Sequence, residues 1–194
     1  MTDRPIIFSA PMVRALLDGR KTQTRRVLKP QPNMLNGGRP LNDGRGSYSV
    51  EGGWKRIPYA PGDRLWVREA FTEVPMIGPR YYATNDIPAS FKKVSPIHMP
   101  RWASRLTLIV TDVRVQRLQE ISDDDARAEG VLPDGFEGYR GHEGTIGYPT
   151  AIWAFRHILN SIHGPDAWDA NPWVAAISFT VHRCNIDTME EGTW

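Results

Sequence analysis

The stretch Leu17-Asp18-Gly19-Arg20-Lys21-Thr22-Gln23-Thr24-Arg25-Arg26 joins the end of a helix to the start of a strand. Upstream, Met12, Val13, Leu16 and Leu17 recur at helical spacing behind Ser9-Ala10-Pro11. Ser9 suits a cap there, and a proline in the first turn loses no hydrogen bond. Gly19 supplies the left-handed stop. Downstream, Lys21 to Val27 is rich in β-branched and polar residues and reads as a strand, ended by Lys29-Pro30.

Working outward, residues 31–60 are turn and linker composition: Gln31-Pro32-Asn33, Asn36-Gly37-Gly38, Asp43-Gly44-Arg45-Gly46 and Gly52-Gly53. So long a stretch without periodicity predicts a mobile lid or binding loop, or equally a disordered insertion that is mere decoration, and in each case replacing residues 36–53 spares folding. Pro61-Gly62-Asp63 launches a strand over Arg64-Leu65-Trp66-Val67-Arg68-Glu69. Residues 73–103, with five prolines and the Tyr81-Tyr82 pair, read as a second insertion with a short strand, and 132–148 as a third. Leu106, Leu108 and Val110 alternate, then Val113 and Val115 alternate in the opposite phase, which predicts a bulge near Thr111-Asp112. Ser122-Asp123-Asp124-Asp125 caps a short helix closed by Gly130. A longer amphipathic helix runs from Pro149 to Gly164, and a last strand carries Trp173, Ala175, Ile177, Phe179 and Val181. Short strands with helices between them predict an α+β fold, a small mixed barrel flanked by helices.

The chain has 194 residues, a length that favours one domain over 1–194. A single cysteine, Cys184, excludes an internal disulfide and a cysteine-rich zinc site, including that of the nucleobase deaminases. No histidine pair has metal-ligand spacing, and neither a phosphate-binding glycine loop nor a nucleophile elbow occurs. No apolar run is long enough to span a membrane, and the first residues lack the order of a secretory signal, so a cytoplasmic protein is expected. Net charge is +2, but residues 1–68 carry +8, residues 69–119 carry +3 and residues 120–194 carry −9. Nineteen of the 24 basic residues are arginine, whose planar fork suits phosphates and bases. The pattern fits a basic face for a polyanion or nucleotide, and equally two halves that neutralise each other on folding.

The stretch at 17–26 resembles the opening motif of ASCH domains, which are small PUA-like β-barrels, and specifically the bacterial N(4)-acetylcytidine amidohydrolases. Pro61 to Glu69 resembles the second strand of that family, and Ile121 to Val131 its short helix. Asn171-Pro172-Trp173-Val174 resembles phage and prophage members. The resemblance implies Thr24 as nucleophile, Lys21 as base and Glu129 as proton donor, with no metal and no organic cofactor. The implied partner is a modified cytidine nucleoside or RNA, with no membrane, and the protein is expected to be a monomer.

The chemistry of those three residues can be weighed on its own. A threonine hydroxyl needs a neighbouring base, and a lysine serves only if burial or nearby cations favour its neutral form. Arg20, Arg25 and Arg26 lie close to Lys21 in sequence. Glu129 falls in the last turn of its helix with Asp125 four residues back, two influences that disfavour its charged form. Against this, Glu129 is equally suited to pairing with Arg25 or Arg127, and Thr24 to an ordinary place in a strand. In a regular strand positions 21 and 24 face opposite sides, so Lys21 must lie in the turn or the strand must bulge. Arg26, Trp66, Arg68 and Glu69 are the expected substrate-binding residues, with Trp66 stacking on the base, although Trp66 also suits a core and Arg68 with Glu69 an internal ion pair. The rival function is a non-catalytic RNA-binding module, or a ribonuclease using the same basic cleft.

Overall fold

The structure, a computed structural model, describes residues 2–32, 47–134, 138–141 and 147–189. Strand β1 (Asp3–Ile7) leads into helix α1 (Ala10–Leu17), which buries Met12, Val13, Ala15 and Leu16. Ser9 stands at the N-cap without a side-chain capping bond, and Gly19, at φ 75°, stops the helix as its sequence predicts. Strand β2 (Gln23–Val27) follows.

The stretch expected to be wholly irregular is not. The part of it that is described contains a hairpin, β3 (Ser47–Val50) and β4 (Gly53–Arg56), turning at Glu51-Gly52. Tyr48 is 2% exposed and sits in the main core with Ile57. The expected lid residues 33–46 lie outside the described residues. A second hairpin, β6 (Phe71–Val74) and β7 (Gly78–Tyr81), follows β5 (Arg64–Arg68) and shares a small core of Phe71, Met99 and Ala103.

Strand β8 (Thr107–Arg117) precedes α2 (Asp123–Ala128), whose Ser122 cap accepts the Asp125 amide. A short pair, β9 (Leu132–Pro133) and β10 (Tyr139–Arg140), precedes α3 (Ala151–His163), and the chain then enters β11 (Trp173–His182). Five strands form one mixed sheet in the order β1-β5-β8-β11-β2, parallel between β1 and β5 and antiparallel elsewhere. This is the α+β class the sequence predicts. The register of β8 on β11 shifts between Ser178, opposite Asp112, and Phe179, opposite Val110. Thr111 is therefore the extra residue of a bulge, where the change of phase predicted it.

The run of strands is open among the described residues: β1 and β2 are its two edges and share no ladder. A side chain crosses the gap, since Arg26 donates to the Ile7 carbonyl at 2.8 Å. None of the described helices is long and apolar enough to cross a membrane.

Candidate active site at the open edge of the sheet

The chain leaves α1 through Gly19, and the Lys21 amide returns a hydrogen bond to Ala15. Lys21 then forms an isolated antiparallel bridge with Glu129, and the Thr22 amide donates to Ala128. Lys21 thus precedes the strand, which resolves the opposed facing of positions 21 and 24 in favour of the turn. Gly130 makes this approach possible. It holds φ 98°, and a Cβ built there would meet the Ala15 Cβ at 2.9 Å and the Lys21 Cβ at 3.0 Å.

Lys21 is 1% exposed and Glu129 5% exposed. The lysine ammonium donates to the Gln23 carbonyl at 2.8 Å, the Glu129 carbonyl at 2.9 Å and Glu129 Oε2 at 2.8 Å, which uses all three of its hydrogens. Burial lowers the Lys21 pKa, and the nearby Arg26 and Arg25 charges act in the same direction against the opposing pull of Glu129. The other oxygen of Glu129 accepts from Arg25 Nη1 at 3.0 Å. Arg25 also donates to Gln23 Oε1 and Asp125 Oδ2, and its guanidinium lies 5.9 Å from the Phe155 ring.

Glu129 therefore faces two cations, where sequence position had suggested helix-end and like-charge repulsion. Asp125 does not oppose it but shares Arg25 with it. At Asp125, burial pushes the pKa up, but hydrogen bonds from Gln23 and Arg114 and the charges of Arg25 and Arg114 outweigh it and leave the carboxyl below its ordinary value. Arg127, the other expected partner of Glu129, is paired with Asp123 and Asp124 instead.

A cleft of about 380 Å³ runs along the edge of β2, lined by Lys21, Thr24, Arg25, Arg26 and Glu129 among others. In register, Thr24 opposes Ile177 and Arg25 opposes Ala176, so neighbouring β2 side chains leave the sheet on opposite faces. The cleft follows the strand's unpaired edge and reaches both. One wall comes from α3, with Phe155, Ile158, Leu159 and Ile162; the other comes from Ile7, Phe8 and Met12. Thr24 is 4% exposed, and among the described residues nothing hydrogen-bonds its hydroxyl. The Arg26 guanidinium lies 5.2 Å from the Phe8 ring and Lys21 Nζ 5.5 Å from it.

Lys21, Thr24, Arg26 and Glu129 thus meet in one cleft, whereas Trp66, Arg68 and Glu69 are not among its lining residues. The strand of Trp66 and Arg68, β5, which Glu69 follows directly, lies on the far side of β1 from the cleft. Arg68 stacks on Trp66 at 5.2 Å and donates to the carbonyls of Met99 and Ile97. It thereby holds the segment next to Pro96, which does line the cleft. Glu69 is 1% exposed and takes both oxygens to Arg105. The apolar wall of α3 was visible in the sequence only as a helical stripe, and such a stripe has the same spacing whether it faces a core or a cleft.

No family model and no curated protein matches the chain. Among solved structures it is similar, at 12% identity and TM-score 0.44, to an Enterococcus faecalis protein of the DUF984 family, over 98% of this chain and 86% of that one. A second shares 12% identity with a TM-score of 0.43 over 93% of this chain and 79% of its own. It is an ASCH domain, from Lactobacillus crispatus.

Proposed function

We propose that the chain is an amide hydrolase acting on N(4)-acylated cytidine, with Thr24 as nucleophile, Lys21 as base and Glu129 as proton donor. One observation carries this reading: the unpartnered Thr24 hydroxyl opens on the same cleft as a buried Lys21–Glu129 pair joined by a 2.8 Å hydrogen bond. Moving that bond's proton from Nζ to Oε2 leaves a neutral amine and a carboxylic acid, the base and acid that amide cleavage requires. Burial already favours the neutral amine.

Lys21 takes the hydroxyl proton as Thr24 Oγ1 attacks the acyl carbonyl. The carbon–N4 bond then breaks as Glu129 protonates the leaving amine, giving cytidine and an acylated Thr24. The Glu129 carboxylate next takes a proton from water as it attacks the ester, and Lys21 returns its proton to the Thr24 oxygen. A carboxylic acid leaves and all three residues regain their starting forms.

A second reading is favoured by the closure of the same network. All three Lys21 hydrogens and both Glu129 oxygens have partners, as in an ion-pair cluster that ties α2 to β2 in a non-catalytic RNA-binding module. Incubation with N(4)-acetylcytidine, following cytidine by chromatography, separates the two. The enzyme reading expects release by the natural chain and a loss of about a thousandfold or more in Thr24→Ala. No release, or release undiminished in that variant, overturns it.

A further inference from the structure

The connection from β1 into α1 carries groups that this mechanism does not use. The first intrahelical bond of α1 runs from the Val13 amide to the Ser9 carbonyl. The amides of Ala10 and Met12 are therefore left without an intrahelical partner, Pro11 has no N–H, and the Ser9 hydroxyl makes no capping bond. Ser9 and Met12 both line the cleft, so the positive end of the helix opens into it.

A cation stands at the same mouth. The Arg26 guanidinium is held on the Ile7 carbonyl and over the Phe8 ring, the two residues leading to Ser9. Among the described residues no carboxylate lies within ion-pair distance of it, because Glu129 is taken by Lys21 and Arg25. Burial lowers the Arg26 pKa, which reflects the cost of keeping charge there. The lining carries three cations, Lys21, Arg25 and Arg26, against one carboxylate, Glu129. A helix N-terminus beside an unpaired, partly desolvated guanidinium places like charges together, an arrangement that an anion relieves. Thr24 adds an independent sign of a ligand: a polar side chain only 4% exposed, without a partner, in the same cleft.

We propose that this mouth is a phosphate-monoester subsite, so that the cleft takes its pyrimidine substrate as a nucleotide rather than a free nucleoside. The Met12 amide, the Ser9 hydroxyl and the free N–H groups of Arg26, all from residues that line the cleft, supply donors for the three acceptor oxygens of a terminal phosphate. The apolar wall of α3 is left for the base. The proposal rests on the nucleoside reading of the same cleft.

Isothermal titration of the full chain with cytidine, cytidine 5′-monophosphate and inorganic phosphate tests it. The monophosphate is expected to bind about tenfold more tightly than cytidine, one charge-assisted hydrogen bond's worth, and inorganic phosphate to compete with it. Arg26→Gln removes the preference and Arg26→Lys restores part of it. Ser9→Ala, at an exposed position whose hydroxyl makes no capping bond, lowers the preference about two- to threefold and guards against misfolding of the arginine variants. Equal affinity for cytidine and its monophosphate overturns the phosphate subsite and leaves the nucleoside reading intact. Phosphate binding without any cytidine binding upholds the subsite and overturns the nucleoside reading instead. Tighter binding of a single-stranded oligocytidylate than of the mononucleotide overturns the monoester in favour of a phosphodiester.

Discussion

Lys21 and Glu129, 108 residues apart, meet twice: their backbones form an isolated antiparallel bridge and their side chains a 2.8 Å ion pair. The bridge fixes the positions and the pair answers the charge that the bridge buries. Removing one partner leaves the other buried with an incomplete set of bonds.

Lys21→Met is accordingly expected to cost about 3 kcal/mol of folding stability, with Arg25 remaining to hold one Glu129 oxygen. Pairing it with Glu129→Met should cost less than the two single changes together. Urea denaturation of the four proteins measures this, and strictly additive losses would show that the pair contributes no coupling.

Gly130→Ala tests the close approach behind that bridge. With φ at 98° and the Ala15 Cβ 2.9 Å from the new methyl, the change combines backbone strain and a clash. A loss of about 2 kcal/mol in urea denaturation is expected, and an unchanged midpoint would mean the turn relaxes freely.

Tyr48→Ala addresses the hairpin inside the stretch that composition marks as expendable. Tyr48 is in the main core, and its hydroxyl donates to the Pro30 carbonyl at 3.2 Å. The substitution is expected to cost about 3 kcal/mol, and a deletion that includes β3 at least as much. A thermal midpoint that does not move in either variant would return this segment to the status of decoration.

The pH dependence of stability has a definite sign at Asp125. Its carboxyl sits below its ordinary value when folded, so the unfolded chain takes up the proton first as pH drops. The stability it contributes is complete above about pH 4 and is lost as pH falls through the folded value. Asp125→Asn removes that contribution. The decline of the urea midpoint between about pH 6 and about pH 3 should then be shallower than in the natural chain, and an equal slope would assign the acid sensitivity to other carboxylates.

Much of this architecture is legible in the residues, and what is not has identifiable causes. The two phases of apolar residues in β8 give away the bulge at Thr111, and Ser122 with Gly130 brackets α2. The β3–β4 hairpin escapes notice because Gly52 and Gly53 carry the same composition in a tight turn as in a linker, and only Tyr48 and Val50 alternate before them. At the site, Lys21, Thr24 and Glu129 stand out by motif. Arg25 and Arg127 are both open to Glu129 in the sequence; spatial neighbours choose Arg25, and its sharing with Asp125 is visible only in the fold. Trp66 and Arg68 have the residue types for stacking on and holding a base, which says nothing of where their strand lies. Strand order in the sheet, which sequence does not state, puts β1 between them and the cleft.

The bulge at Thr111 also sets a rule of parity for the chain. Val113 opposes Ile177 and Arg114 opposes Ala176, so beyond the bulge the valines turn to one side and Arg114 to the other, where it reaches Asp125 at 3.1 Å. Loss of one residue there straightens the ladder and leaves Val113 against Ile177 and Arg114 against Ala176, each on its present side, whereas loss of a second exchanges the sides for everything downstream. Strand β8 thus carries one residue in reserve: a chain shorter by one at the bulge keeps the Arg114–Asp125 contact to α2, and a chain shorter by two loses it.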